Sequence, residues 1–82
     1  MKILQHSQLQ HYWIINKGQV FSLFGKRGEL VYVYPETDLD KAKVAQNYRQ
    51  LSDKEVKKVM SALVKVNPSA MAFLENPPTA KN

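Results

Sequence analysis

Residues 12–34 read Tyr12-Trp13-Ile14-Ile15-Asn16, then Lys17-Gly18, then Gln19-Val20-Phe21-Ser22-Leu23-Phe24, then Gly25-Lys26-Arg27-Gly28, then Glu29-Leu30-Val31-Tyr32-Val33-Tyr34. Three runs rich in β-branched and aromatic residues, divided by two short glycine-containing breaks, are the pattern of strands joined by tight hairpins. Gly18 can take the positive φ that a two-residue hairpin needs, and Pro35 ends the third run. Connections this short exclude parallel crossovers, so the segment reads as an antiparallel three-stranded meander. Strict alternation sets Val20, Ser22 and Phe24 against Gln19, Phe21 and Leu23, and Leu30, Tyr32 and Tyr34 against Val31 and Val33. Both faces are therefore partly apolar, which implies cover on both sides, or cover on one and contact on the other.

Downstream the periodicity changes to that of helices. Thr37-Asp38-Leu39-Asp40 offers an N-cap with acids in the first turn, and Leu39, Ala42, Ala45 and Tyr48 then recur at helical spacing, predicting a helix that ends near Leu51. Asp38 and Asp40 are the one close carboxylate pair, and the helix start accounts for both. Ser52 with Glu55 makes a capping box, with Leu51 and Val56 placed for a hydrophobic staple. Val56, Val59, Met60 and Leu63 form the buried stripe of this second helix, over 52–66, and Lys54, Lys57, Lys58 and Lys65 fall largely off it. Asn67-Pro68 separates a short third helix over 69–75 that turns Ala70, Phe73 and Leu74 inward, before Pro77-Pro78 stops it. Residues 1–10 are the hardest stretch to assign: Ile3, Leu4 and Leu9 mark either a short helix or an irregular lead-in to the sheet. The expected fold is α+β: a three-stranded antiparallel meander followed by two or three helices packed on the sheet, one domain over 1–76 and a mobile tail over 77–82.

At 82 residues there is material for one core. With 44 % hydrophobic and 23 % charged residues the composition is that of a folded domain. The absence of cysteine excludes disulfides, thiolate metal sites and thiol nucleophiles. No apolar run approaches the roughly 20 residues of a membrane span. A cytoplasmic protein without membrane contact is the expectation.

Little in the sequence suggests chemistry. His6 and His11 lie five apart, a spacing that puts them on different helical faces, so no metal site is expected. The serines lack a nucleophile-elbow motif, and Gly25-Lys26-Arg27-Gly28 lacks the spacing of a phosphate loop or dinucleotide fingerprint. A non-enzymatic binding protein with no cofactor and no evident small-molecule substrate is the reading that follows.

Twelve Lys and Arg against seven Asp and Glu give a net charge of +5. That excess favours anionic partners, DNA or RNA among them. Lys26 and Arg27 at a hairpin tip, Lys54, Lys57 and Lys58 on the second helix, and Lys17 beside the aromatic sheet are the candidate phosphate contacts. The alternative is a protein-binding adaptor or inhibitor, of the kind mobile elements encode, or a homodimer; Trp13, Phe21 and Tyr32 on an uncovered sheet face would then be the anchors. One geometric fact separates the readings: a hairpin and a lysine face on a common surface make one cationic footprint for nucleic acid, whereas opposed they are two solvated patches and favour a protein partner.

A meander followed by a helix resembles the arm-type DNA-binding domains of phage-type integrases, which would imply a sheet that reads the major groove. The lysines that open the second helix, Lys54, Lys57 and Lys58, resemble those of the last helix in double-stranded-RNA-binding domains. The helix predicted before it departs from that pattern, and no residue role is carried over from either family.

Overall fold

A computed structural model describes residues 1–25, 27–38 and 47–77. The class is α+β, with five strands and two helices among the described residues: β1 (Lys2–His6), β2 (His11–Asn16), β3 (Gln19–Phe24), β4 (Glu29–Pro35), β5 (Tyr48–Gln50), α1 (Asp53–Val66) and α2 (Ala70–Glu75). All pairings are antiparallel and the order across the sheet is β4-β3-β2-β1-β5.

The expected meander is β2-β3-β4, and the sheet extends beyond it on one side. Lys2–His6 is a strand, because Ile3 pairs with Ile14 and Leu4 with Trp13, burying one side chain on each face. Its turn into β2 has no glycine or proline. The His6 imidazole replaces them, its Nδ1 accepting from the Gln8 N–H at 3.0 Å and the Leu9 N–H at 2.9 Å.

The helix expected up to Leu51 is corrected at its end. Tyr48, Arg49 and Gln50 pair with His6, Gln5 and Leu4, so a ladder along β1 overrides local helical spacing there. Glu36–Asp38 forms a single 3-10 turn. Leu39, Ala42 and Ala45, the other inward positions of that helix, lie outside the described residues, as do 78–82 of the expected tail. A five-stranded sheet also departs from the three-stranded meander followed by a helix on which the first resemblance rested.

The helices pack on one face. Ile3, Ile14, Phe21 and Leu23 meet Leu51, Leu63, Ala70 and Leu74, with Tyr12, Leu30, Tyr32, Val56, Val59, Met60 and Phe73 around them. On the other face Leu4, Ile15 and Val20 form a second cluster with Trp13, Tyr34 and Tyr48. A β-bulge corrects the strict alternation expected in β4: Phe21 pairs with Tyr32 but Val20 with Tyr34. The extra residue, Val33, moves Tyr34 to the face opposite Tyr32.

α1 starts as its sequence predicts. The Ser52 Oγ accepts from the Glu55 N–H at 3.2 Å, and the Glu55 carboxylate accepts from the Ser52 N–H at 2.9 Å. Arg49 of β5 donates to both oxygens of that carboxylate, at 3.2 and 3.0 Å. The guanidinium, aided by the Ser52 bonds, holds the Glu55 carboxyl down at about 2. One side chain thus joins the edge strand to the helix start. Ser52→Ala should lower stability by about 1 kcal/mol, read as a shifted urea midpoint at unchanged m-value. Among the described residues no helix is long and apolar enough to cross a membrane.

Candidate nucleic-acid interface

The β3–β4 turn is shaped by its two glycines, both at positive φ (37° at Gly25, 66° at Gly28). The Gly25 N–H donates to the Gln10 carbonyl at 2.8 Å, and the Gly28 N–H to the Gly25 carbonyl at 3.3 Å. Gly28 also lies flat against the C-terminal half of α1. A Cβ there would stand 2.8 Å from Val66 Cγ2 and 2.9 Å from Leu63 Cδ1. The Asn67 side-chain amide donates to the Gly28 carbonyl at 3.1 Å, and the Asn67 N–H closes α1 onto the Leu63 carbonyl. Hairpin and helix are therefore locked together.

Between them runs a groove of about 300 Å³ lined by Tyr12, Leu23, Gly28, Lys58, Ala62 and Val66, among others. It continues, through Lys58, Ala62 and Val66, into a depression bordered by Lys57, Ser61 and Lys65. Lys54, Lys57, Lys58, Lys65 and Arg27 are all exposed. The ion pairs among the described residues are Lys17 with Glu75 and Arg49 with Glu55, so these five cations have no carboxylate partner there. The carboxylates Glu55 and Glu75 are each matched to a cation off this face.

The other expected site residues distribute differently. Lys26 lies outside the described residues. Lys17 sits in the β2–β3 turn, at the opposite end of β3 from Gly25 to Gly28, and its ammonium is hydrogen-bonded to the Glu75 carboxylate, whose pKa it lowers. Phe21 is fully buried under the helices and Tyr32 is half-buried on the same side, their rings edge-to-face at 5.8 Å. Trp13 is half-buried on the opposite face. The three aromatics expected as interface anchors form no common patch, and Phe21 offers no surface to a partner.

On Trp13's face His11, set aside above as a metal ligand, joins Ser22 and Tyr48 in a polar group that its sequence spacing did not reveal. The His11 imidazole is hydrogen-bonded through Nε2 to Ser22 Oγ at 2.6 Å and through Nδ1 to the Tyr48 hydroxyl at 2.7 Å. Rings surround it: Trp13 at 4.7 Å, Phe24 at 4.7 Å and Tyr48 at 5.7 Å between centroids. Burial, and secondarily the nearby His6, push the His11 pKa down, so the ring is neutral at neutral pH. Burial pushes the Tyr48 phenol up, keeping it neutral too. A serine and imidazole at this distance have the geometry of a nucleophile and its base, but the third partner here is an uncharged phenol. It lacks the anion that stabilises an imidazolium in a catalytic triad. Among the described residues no cluster of three or more His, Cys, Asp or Glu could hold a metal ion.

The sign of the His11 shift sets a pH dependence. Its folded pKa lies below the unfolded one, so the unfolded chain takes up the proton first, and stability is lost as pH falls below about 6.5. The groups facing the ring are His6, Ser22, Tyr48, Trp13 and Phe24. Melting temperature should fall between pH 7.5 and pH 5, and fall less in His11→Gln, which keeps a polar side chain but cannot titrate. Equal acid sensitivity in both proteins would show that other groups are responsible.

Beside His11 the same face opens into a cavity of about 530 Å³ walled by Leu9, Gln10, Trp13, Ser22, Phe24 and Tyr48. Phe24 and Leu9 form its exposed rim, 50 % and 63 % accessible. Compared with known protein families, curated proteins and solved structures, the chain matches none of them significantly.

Proposed function

We propose that the chain is a non-catalytic nucleic-acid-binding protein that lays a phosphate backbone along the joint surface of α1 and the β3–β4 hairpin. The observation that carries this reading is the seating of Gly28 on Leu63 and Val66, which ties the hairpin that carries the exposed Arg27 to the helix that carries the lysines. Support comes from the groove between hairpin and helix, which Gly28 and Lys58 line together. Arg27, Lys57, Lys58 and Lys65 supply charge to phosphates, while Lys54 extends the row towards the helix start. The apolar floor of the groove, Ala62 and Val66, accommodates sugar and not charge.

Lysine acetylation mapped by mass spectrometry tests this directly. Added oligonucleotide at low salt should protect Lys57 and Lys58 and leave Lys2 and Lys17 reactive. Unchanged labelling of Lys57 and Lys58 would remove the reading.

A protein partner or self-association is a second reading, favoured by Val31 and Val33, which are 52 % and 39 % exposed on the edge strand β4. The bulge at Val33 and Pro35 interrupt that edge, as edges protected against pairing do. A monomer across concentration in sedimentation experiments would argue against self-association.

A further inference from the structure

The ring-lined cavity and the basic hairpin belong to the same end of the sheet. Phe24 walls the cavity and is followed directly by Gly25; the Gly25 N–H is bonded to the carbonyl of Gln10, another wall residue. Arg27 stands exposed two residues further on. A chain of phosphates running past the hairpin therefore passes the mouth of a pocket whose walls are Trp13, Phe24 and Tyr48 rings and whose polar groups are uncharged.

Resting on the nucleic-acid reading above, we infer that this cavity takes one unstacked base of a single-stranded nucleic acid, whose neighbouring phosphates lie at Arg27. The chemistry fits a nucleobase. Flat rings stack on bases of any identity, and base stacking on aromatic side chains is sequence-tolerant because every base has a π-face. Gln10, exposed on the wall, offers an amide of the kind that meets a base edge. His11 and Tyr48, both neutral, add no charge to compete with the hairpin for phosphate, and no acidic side chain lines the cavity among its described walls. Duplex cannot present a base this way without opening, so the site selects single strands.

Trp13 is the one tryptophan of the chain and stands in the cavity wall, so its fluorescence reports occupancy without a label. Three probes of equal length are titrated at low salt: a mixed-sequence DNA strand, the same strand annealed to its complement, and an abasic strand with the same number of phosphates. Binding is followed by anisotropy and by Trp13 emission. The base-bearing strand should bind about fivefold to a hundredfold tighter than the abasic one and change Trp13 emission, whereas duplex and abasic strand should bind without changing it. Phe24→Ala should abolish the preference for bases while keeping salt-dependent affinity for the abasic strand, with circular dichroism confirming its fold. Equal affinity for base-bearing and abasic strands with unmoved Trp13 emission would overturn the cavity inference and leave the basic face standing. Absence of binding to all three probes would overturn both.

Discussion

Phe21→Ala should lower the stability of the fold by about 3–5 kcal/mol. Phe21 is fully buried at the centre of the helix-side core, with Tyr32 and Phe73 edge-to-face against it, each at 5.8 Å. Truncation removes its own burial and both ring contacts, and leaves a void between two strands and α2 that the pairing of β3 with β2 and β4 prevents from closing. A chain of 82 residues has a total stability on the order of 4–12 kcal/mol, so the loss takes about a quarter or more of it. Urea denaturation will show either a large drop in midpoint or a chain unfolded in buffer. The same substitution at Phe24, half-exposed on the other face, should cost far less. Similar losses at the two positions would mean that the helix-side layer is not the main core.

Gly28→Ala should cost about 2–4 kcal/mol and separate the hairpin from α1. Two effects add. At φ of 66° a side chain occupies the left-handed region at a cost of about 1 kcal/mol or more, and the new methyl lands 2.8 Å from Val66 Cγ2 and 2.9 Å from Leu63 Cδ1. Neighbours on a packed helix can relieve such contacts only by moving, at a further cost of about 1–3 kcal/mol. Pairing it with Val66→Ala separates the two: the double variant should recover much of the steric part and keep the backbone part. If Val66→Ala gave no relief in the Gly28→Ala background, the seating of the hairpin on α1 would be wrong. Because that seating joins the two basic features, Gly28→Ala should also weaken nucleic-acid binding under conditions where the protein remains folded.

Much of this was legible in the sequence because it is encoded locally. The glycine breaks marked β2, β3 and β4, and Ser52 with Glu55 marked the start of α1. β1 was not legible, because its turn is closed by the His6 side chain, and Ser7-Gln8-Leu9-Gln10 carries none of the usual turn residues. β5 was masked by the helical spacing that Tyr48 shares with Leu39, Ala42 and Ala45; three residues form a strand only when another strand offers them a ladder. Tyr34 was assigned to the face of Tyr32 because a bulge leaves no trace in a period-two pattern. The His11–Ser22 pair could have been found. A two-residue turn at Lys17-Gly18 pairs Asn16 with Gln19 and, counting back, Trp13 with Ser22 and His11 with Phe24, which is the observed register. Tyr48, 37 residues from His11, could not have been placed beside it. Nor could the meeting of Gly28 with Leu63 and Val66, a tertiary contact with no local signature.

The salt dependence of affinity for a single-stranded oligonucleotide, compared between the native protein and Arg27→Ala/Lys57→Ala/Lys58→Ala, tests the central claim most directly. If hairpin and helix form one phosphate-binding surface, log Kobs falls linearly with log salt for the native chain, and the triple variant flattens that slope by about 2, or about 0.7 for each phosphate contact removed. A slope unchanged by the three substitutions, or no detectable binding by the native chain at low salt, would contradict it.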